Sequence, residues 1–176
     1  MAYRVIATSR SRLGLGFDQV GRTIAILSAL ALAAALGIEH IGGIAPCPLC
    51  LDQRVAYYAA IPLGLLAFAL AQGRMQWSRA VLALLAAGFA VNAGLGVYHA
   101  GIEWGWWQGP ATCAGAGSIA TNPADLLKSL EQARVVRCDE AALRVFGLSL
   151  AGYSAMLSAA LAVIAALGAA KRRASV

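Results

Sequence analysis

Four long apolar runs dominate the chain, each bounded by charged or turn-forming residues. They extend from about Thr23 to Ile38, Val55 to Ala71, Ala80 to Tyr98 and Phe146 to Ala170, and no Asp, Glu, Lys or Arg interrupts any of them. About 20 apolar residues cross a hydrocarbon layer of roughly 30 Å. The first three runs are near the lower limit of that length and the fourth is ample. Inside lipid the backbone has no water to bond, so each run is expected to be a helix. The fold class that follows is an all-α integral membrane protein, a four-transmembrane-helix bundle forming a single membrane domain over residues 1–176.

Small residues crowd the runs: Ala29, Ala31, Ala33, Ala34 and Ala35 in the first, and Gly88, Asn92, Gly94 and Gly96 in the third. They let helices approach closely in lipid and predict a compact bundle. Pro62 frees a carbonyl within the second helix and can kink it, which neighbouring helices tolerate. Arg12 and Arg22 ahead of the first run, with Ala33 and Ala35 inside it, imitate a cleavable signal. Three further spans favour an uncleaved first helix.

Composition agrees with lipid burial. The chain is 60% hydrophobic and 12% charged, with a mean hydropathy of +0.71, whereas soluble domains carry about 25% charged residues. A net charge of +6 raises the question of nucleic acid, but the basic residues form no single patch. Arg4, Arg10, Arg12 and Arg22 precede the first run, Arg74 and Arg79 separate the second from the third, and Lys171, Arg172 and Arg173 follow the fourth. The positive-inside rule places these three segments, and both termini, in the cytoplasm. No nucleic-acid partner is expected. The two remaining loops, about Glu39 to Asp52 and about His99 to Val145, then face outward.

The longer outer loop carries signals of its own. Trp104, Trp106 and Trp107 follow the third run, a cluster suited to the membrane interface. Asn122-Pro123 reads as an N-cap followed by proline at the first helical position. Leu126, Leu127, Leu130 and Ala133 then recur at helical spacing, which predicts a short amphipathic helix on the membrane surface.

All four cysteines fall in or beside these outer loops, on the side where disulfide chemistry is expected. Cys47-Pro48-Leu49-Cys50 places two thiols close enough for a tight redox pair at the mouth of the second helix, where a helix N-terminus favours a thiolate. Arg54, four residues beyond Cys50, projects on the same face one turn deeper. It can stabilise a Cys50 thiolate or a reduced, anionic acceptor, or it can reach toward lipid headgroups. Cys113 and Cys138 bracket a longer segment of about 26 residues, for which a purely structural disulfide would contribute about 3 to 4 kcal/mol. The Ala114-Gly115-Ala116-Gly117 stretch after Cys113 fits mobility better than clamping. His99 closes the third run at the depth of Cys50 and Arg54, either as an interface histidine or as part of a ligand pocket. Four cysteines could also hold zinc. The second pair lacks Cys-x-x-Cys spacing, and an outward location favours disulfides, so no metal is expected.

Cys47-Pro48-Leu49-Cys50 followed by Leu51-Asp52-Gln53-Arg54 resembles the Cys-x-x-Cys-x-x-x-Arg signature of the disulfide bond formation protein B family, DsbB. The resemblance extends over nearly the whole chain. It includes the four helices, the order of the two cysteine pairs, Tyr98-His99, and Cys138-Asp139-Glu140 leading to Phe146-Gly147-Leu148. It implies a thiol:quinone oxidoreductase of the bacterial inner membrane, with its cysteine loops in the periplasm. The partner implied is a periplasmic DsbA-like thioredoxin-fold protein, and the cofactor is a quinone, ubiquinone or menaquinone. The catalytic residues implied are Cys47, Cys50, Cys113 and Cys138, with Cys50, Arg54 and His99 against the quinone. In that scheme the partner attacks a Cys113–Cys138 disulfide, Cys138 exchanges with Cys47, and Cys50 is released as a thiolate beside the quinone. Two other readings stay open. Vitamin K epoxide reductases share the four-helix layout, but their quinone-side Cys-x-x-Cys follows the loop pair, the reverse of the order here. A non-enzymatic membrane subunit with two structural disulfides is the other.

Overall fold

The computed structural model describes residues 17–110 and 138–170. Four helices form the body: α1 (Phe17–His40), α2 (Pro48–Leu70), α3 (Met75–Glu103) and α4 (Leu150–Ala170). Each is long and apolar enough to cross a membrane. A short antiparallel hairpin, β1 (Arg144–Val145) and β2 (Leu148–Ser149), precedes α4 and pairs Val145 with Leu148. The surface helix expected around residues 122–133 and Cys113 lie outside the described residues.

The distribution of side chains is that of a protein dissolved in lipid. Leu30, Val91 and Val163 are 61%, 67% and 58% exposed, while Ser28, Ser78, Asn92 and Ser158 are buried. Lipid solvates the apolar exterior at no cost, so the interior is where polar groups find partners. Ser158 on α4 receives a hydrogen bond from Asn92 Nδ2 of α3 at 2.9 Å and meets Tyr57 Oη of α2 at 2.8 Å. Around this polar joint lie Ile24, Leu82, Phe89 and Leu161. Ser78 donates to the Ala67 carbonyl and Arg79 to the Ala169 carbonyl, each at 2.7 Å, tying the far end of the bundle together.

Close approaches occur where a side chain is missing. A Cβ on Gly64 of α2 would stand 2.7 Å from the Gly21 carbonyl oxygen of α1, and one on Gly96 of α3 would stand 2.8 Å from Ala155 Cβ of α4. Helix α1 packs chiefly on α2, and α3 chiefly on α4.

Three helix boundaries differ from the apolar runs in ways that matter for the site. Helix α2 begins at Pro48 rather than near Val55, because proline at the first helical position is pre-set for the turn and Cys47 caps it. The charges of Asp52 and Arg54 end the apolar run without ending the helix. Helix α3 continues past Tyr98 to Glu103, with Ala100 and Ile102 still buried. The fourth helix starts at Leu150 instead of Phe146. Phe146 (φ 50°) and Gly147 (φ 81°) both occupy the left-handed region and form the two-residue turn of the hairpin. Ser149 then caps α4 by accepting from the Gly152 amide at 3.2 Å. Tyr153 holds the hairpin down by donating to the Val145 carbonyl at 3.1 Å.

Candidate active site

Cys47 is the N-cap of α2, in extended conformation, and its sulfur accepts a hydrogen bond from the Cys50 amide at 3.2 Å. The Cys-Pro-x-Cys order produces this directly. Proline starts the helix without an amide to satisfy, and the second cysteine falls at the third helical position, where its N–H faces the cap. Both cysteines are free thiols, with their sulfurs 2.8 Å apart and Cys47 donating to Cys50. The hydrogen bond to Cys50, reinforced by burial, pushes the Cys47 thiol well above the usual cysteine range.

Three elements converge on Cys47. From the last turns of α3, His99 brings Nε2 to 3.5 Å from the Cys47 sulfur. From the segment before the hairpin, Cys138 brings a buried sulfur, and the Cys47, His99 and Cys138 donor atoms all lie within 4.8 Å of one another. Cys138 is disulfide-bonded. A disulfide sulfur lacks the thiolate charge that thiophilic metals require, which sets this trio apart from a zinc site as it stands. The same closeness suits thiol–disulfide exchange, in which one sulfur attacks another.

On its other side the Cys-Pro-x-Cys turn faces a cavity of about 240 Å³ between α1, α2 and α4. Its walls are largely apolar, with Leu32, Ile38 and Leu157 among them, and Cys50 and Arg54 stand on its polar side. Few polar groups in an apolar slot are the usual make-up of a small-molecule site. Arg54 is fixed there by an ion pair with Glu39 at the end of α1. His99 is not among the lining residues. Gln53 is, and it links the two regions by donating from Nε2 to His99 Nδ1 at 3.0 Å.

Of the residues singled out in the sequence, Cys47, Cys50, His99 and Cys138 are thus brought together, Arg54 shares the cavity with Cys50, and Cys113 lies outside the described residues. Three participants carried no obvious mark: Gln53, Glu39 and Glu103. Glu103 Oε1 stands 3.8 Å from His99 Nε2, one turn along α3. The tryptophans form a cluster beside this end of the bundle. Trp107 stacks on Tyr98 at 5.9 Å and donates to its carbonyl at 2.8 Å. The bare Gly101 leaves room for the Trp107 ring to fold back on α3.

Comparison with known proteins gives the geometry a context. Residues 19–168 match the family model described as "Disulfide bond formation protein DsbB". The chain is 39% identical over 62 residues to a disulfide bond formation protein B of Dechloromonas aromatica (strain RCB), covering 35% of this chain and 38% of that protein. It is 38% identical over 101 residues to a protein of the same description from Acidovorax sp. (strain JS42), covering 52% and 53% of the two chains. The chain thus spans about two fifths to one half of these two relatives. An uncharacterized protein of Rickettsia prowazekii (strain Madrid E) is 27% identical over 146 residues, 80% of this chain and 81% of its own. No solved structure matches the chain. With the family model covering most of the four-helix body and the paired cysteines, this multi-pass membrane protein belongs to the DsbB family.

Proposed function

We propose that this chain oxidises the dithiol of a periplasmic DsbA-like protein and delivers the two electrons to a membrane quinone, with Cys47 as the junction between its two cysteine pairs. Membership of the family supports a role in disulfide bond formation. The observation that carries the finer reading is the position of Cys47. Its sulfur meets the disulfide sulfur of Cys138 on one side and the Cys50 sulfur, at the cavity wall, on the other.

Electrons then move by exchange in a fixed order. The partner's thiolate attacks a Cys113–Cys138 disulfide at Cys113, and Cys138 leaves as a thiolate. Cys138 attacks Cys47 of a Cys47–Cys50 disulfide, the new Cys47–Cys138 bond forms, and Cys50 leaves as a thiolate into the cavity. The partner's second thiol resolves the mixed disulfide and departs oxidised. A quinone supplies an acceptor for two electrons and two protons. Cys50 and Arg54 are the polar groups of this chain suited to hold its oxygen-bearing ring, and the apolar walls suit its ring face and tail. Gathering Cys113 and Cys138 again, and Cys47 and Cys50 again, as disulfides completes the cycle. The driving force is reasonable, since a DsbA-type oxidant near −120 mV needs a still stronger acceptor, and about 30 mV corresponds to 1.4 kcal/mol for two electrons.

A subunit with two structural disulfides fits less well, because the Cys47 sulfur lies against both Cys50 and Cys138, within reach of exchange between the pairs. The basic segments support an orientation with both termini in the cytoplasm of a bacterial inner membrane and the cysteines in the periplasm. The test is quinone reduction by the purified full chain with a reduced DsbA-type protein. One quinol per partner disulfide is expected. Absence of quinol formation by folded protein loaded with quinone would refute the proposal.

A further inference from the structure

Thiol exchange at Cys47 moves protons as well as electrons, and the described site holds a carboxylate that the electron path does not use. The Glu103 side chain is 5% exposed. Among the described residues its Oε2 is buried without a hydrogen-bond partner, and Ser149, the N-cap of α4, is a polar neighbour. A carboxylate placed this deep with one oxygen unpaired calls for an explanation, because leaving such a group unsatisfied is costly. The group it faces is His99, whose Nε2 also faces Cys47 at 3.5 Å. One imidazole nitrogen is therefore flanked by the exchanging thiol and by the acid. The other, Nδ1, faces the Gln53 amide, whose Oε1 is likewise buried and without a partner among the described residues. Turning that amide end for end presents Oε1 to an Nδ1–H, so the same pocket accommodates either tautomer and the imidazolium.

We propose that Glu103 is a positioning residue that governs proton transfer at Cys47 through His99, a reading that rests on the exchange role given to Cys47 above. When Cys47 acts as a nucleophile, with His99 as the Nδ1–H tautomer donating to Gln53 Oε1, its S–H bond breaks and the proton passes to the free lone pair of His99 Nε2. Thiol and imidazole become thiolate and imidazolium, and the Glu103 carboxylate supplies the counter-charge. When Cys47 is the leaving group, the same proton returns from Nε2 to the departing sulfur. No electron is gained or lost in either transfer, so no oxidant or reductant is involved. Among the described residues, the other charged and titratable groups around this set are Cys50 and Arg54 of α2, Glu39 of α1 paired to Arg54, and Arg144 of the hairpin, which attracts Glu103. Cys138, in its disulfide, does not titrate.

Two influences of Glu103 on Cys47 have opposite signs, which makes the idea testable. A bare negative charge nearby would repel a Cys47 thiolate. A charge acting through His99 would favour the thiolate–imidazolium pair. The experiment is alkylation of Cys47 by a small maleimide in the full-length Cys50→Ala chain, followed by mass spectrometry across pH 6 to 9, in buffer without quinone or partner. Glu103→Gln is expected to slow labelling at neutral pH by about tenfold and to displace the profile to higher pH, a modest share of what general acid–base groups contribute. Glu103→Asp should recover part of the rate. In a His99→Ala background, Glu103→Gln should change nothing further. Unchanged or faster labelling in Glu103→Gln, or an undiminished effect without His99, would overturn the proposal. Should Glu103→Gln fail to fold, by thermal melting in detergent, the Glu103→Asp profile decides in its place. Because the assay uses neither quinone nor partner, its failure is distinguishable from failure of the oxidase reading.

Discussion

Cys47 and His99 are 52 positions apart, yet the Cys47 sulfur and the imidazole Nε2 stand 3.5 Å from each other. The contact joins the cap of one membrane helix to the final turns of the next. Under the proposed relay this contact gives Cys47 a proton acceptor beside the exchanging sulfur, and the two thiols of the short pair have different surroundings. Cys47 faces protein, and Cys50 faces the cavity.

The first consequence concerns thiol reactivity. The thiolate is the reactive form, and the bond to Cys50 together with burial holds the Cys47 thiol protonated beyond the usual range. Sign follows directly: alkylation of Cys47 in the otherwise unaltered chain should lag behind that of a free cysteine at pH 8 to 9 and rise only at higher pH. In Cys50→Ala, which removes the largest cause, the profile should move down toward ordinary cysteine behaviour. Mass-spectrometric labelling against pH checks both.

Arg54 should matter for the acceptor and not for the partner. It lines the cavity and is held there by Glu39. Arg54→Met is expected to raise the KM for quinone by about tenfold or more, the loss typical of a hydrogen bond to a charged group. Formation of the mixed disulfide with the partner should be unaffected. Steady-state kinetics with quinone varied, alongside gel analysis of the mixed disulfide, separates the two.

Bundle stability should depend on the two backbone approaches. A side chain at Gly64 meets Gly21 O at 2.7 Å and Ala25 N at 3.1 Å, and backbone cannot swing aside as a side chain would. Gly64→Val is expected to cost about 1 to 3 kcal/mol by overpacking, read as a lower melting temperature in detergent. Gly88→Ala, where an added Cβ meets nothing within 4 Å, should leave it unchanged.

The polar joint should contribute less. Ser158→Ala removes the partner of Asn92 Nδ2 and the shortest of the contacts of Tyr57 Oη, which keeps the Ser154 carbonyl. Interhelical bonds in lipid average about 0.6 kcal/mol and reach about 1.7, so a loss of about 1 kcal/mol is expected in reversible detergent unfolding.

How much of this was legible in the sequence depends on whether a feature is local. The four spans are local, and hydropathy shows them. The Cys47, Cys50 and Arg54 grouping is local too, since helical spacing stacks it on one face over about two turns. The hairpin was hidden because Phe146, Gly147 and Leu148 read as the start of the fourth apolar run and Val145 as the end of the loop. A two-residue turn ending in glycine was its only mark. Glu103 was hidden because Trp104, Trp106 and Trp107 drew the loop boundary back to His99, although its position four residues after His99 on a continuing helix would have put both on one face. Glu39 and Gln53 have partners set by packing between helices, which no spacing rule reveals. The convergence of Cys138 on Cys47 belongs to the same class: charge patterning placed both on one side of the membrane, but only the fold brings the sulfurs within reach.

That convergence is the central claim, and disulfide mapping tests it most directly. In a full-length chain carrying Cys50→Ser and Cys113→Ser, only Cys47 and Cys138 remain. Mild oxidation followed by non-reducing peptide mapping should yield an intramolecular Cys47–Cys138 disulfide in most molecules, as sulfurs within 4.8 Å of each other require. Two thiols that stay open to alkylation, or that cross-link only between molecules, would contradict the relay.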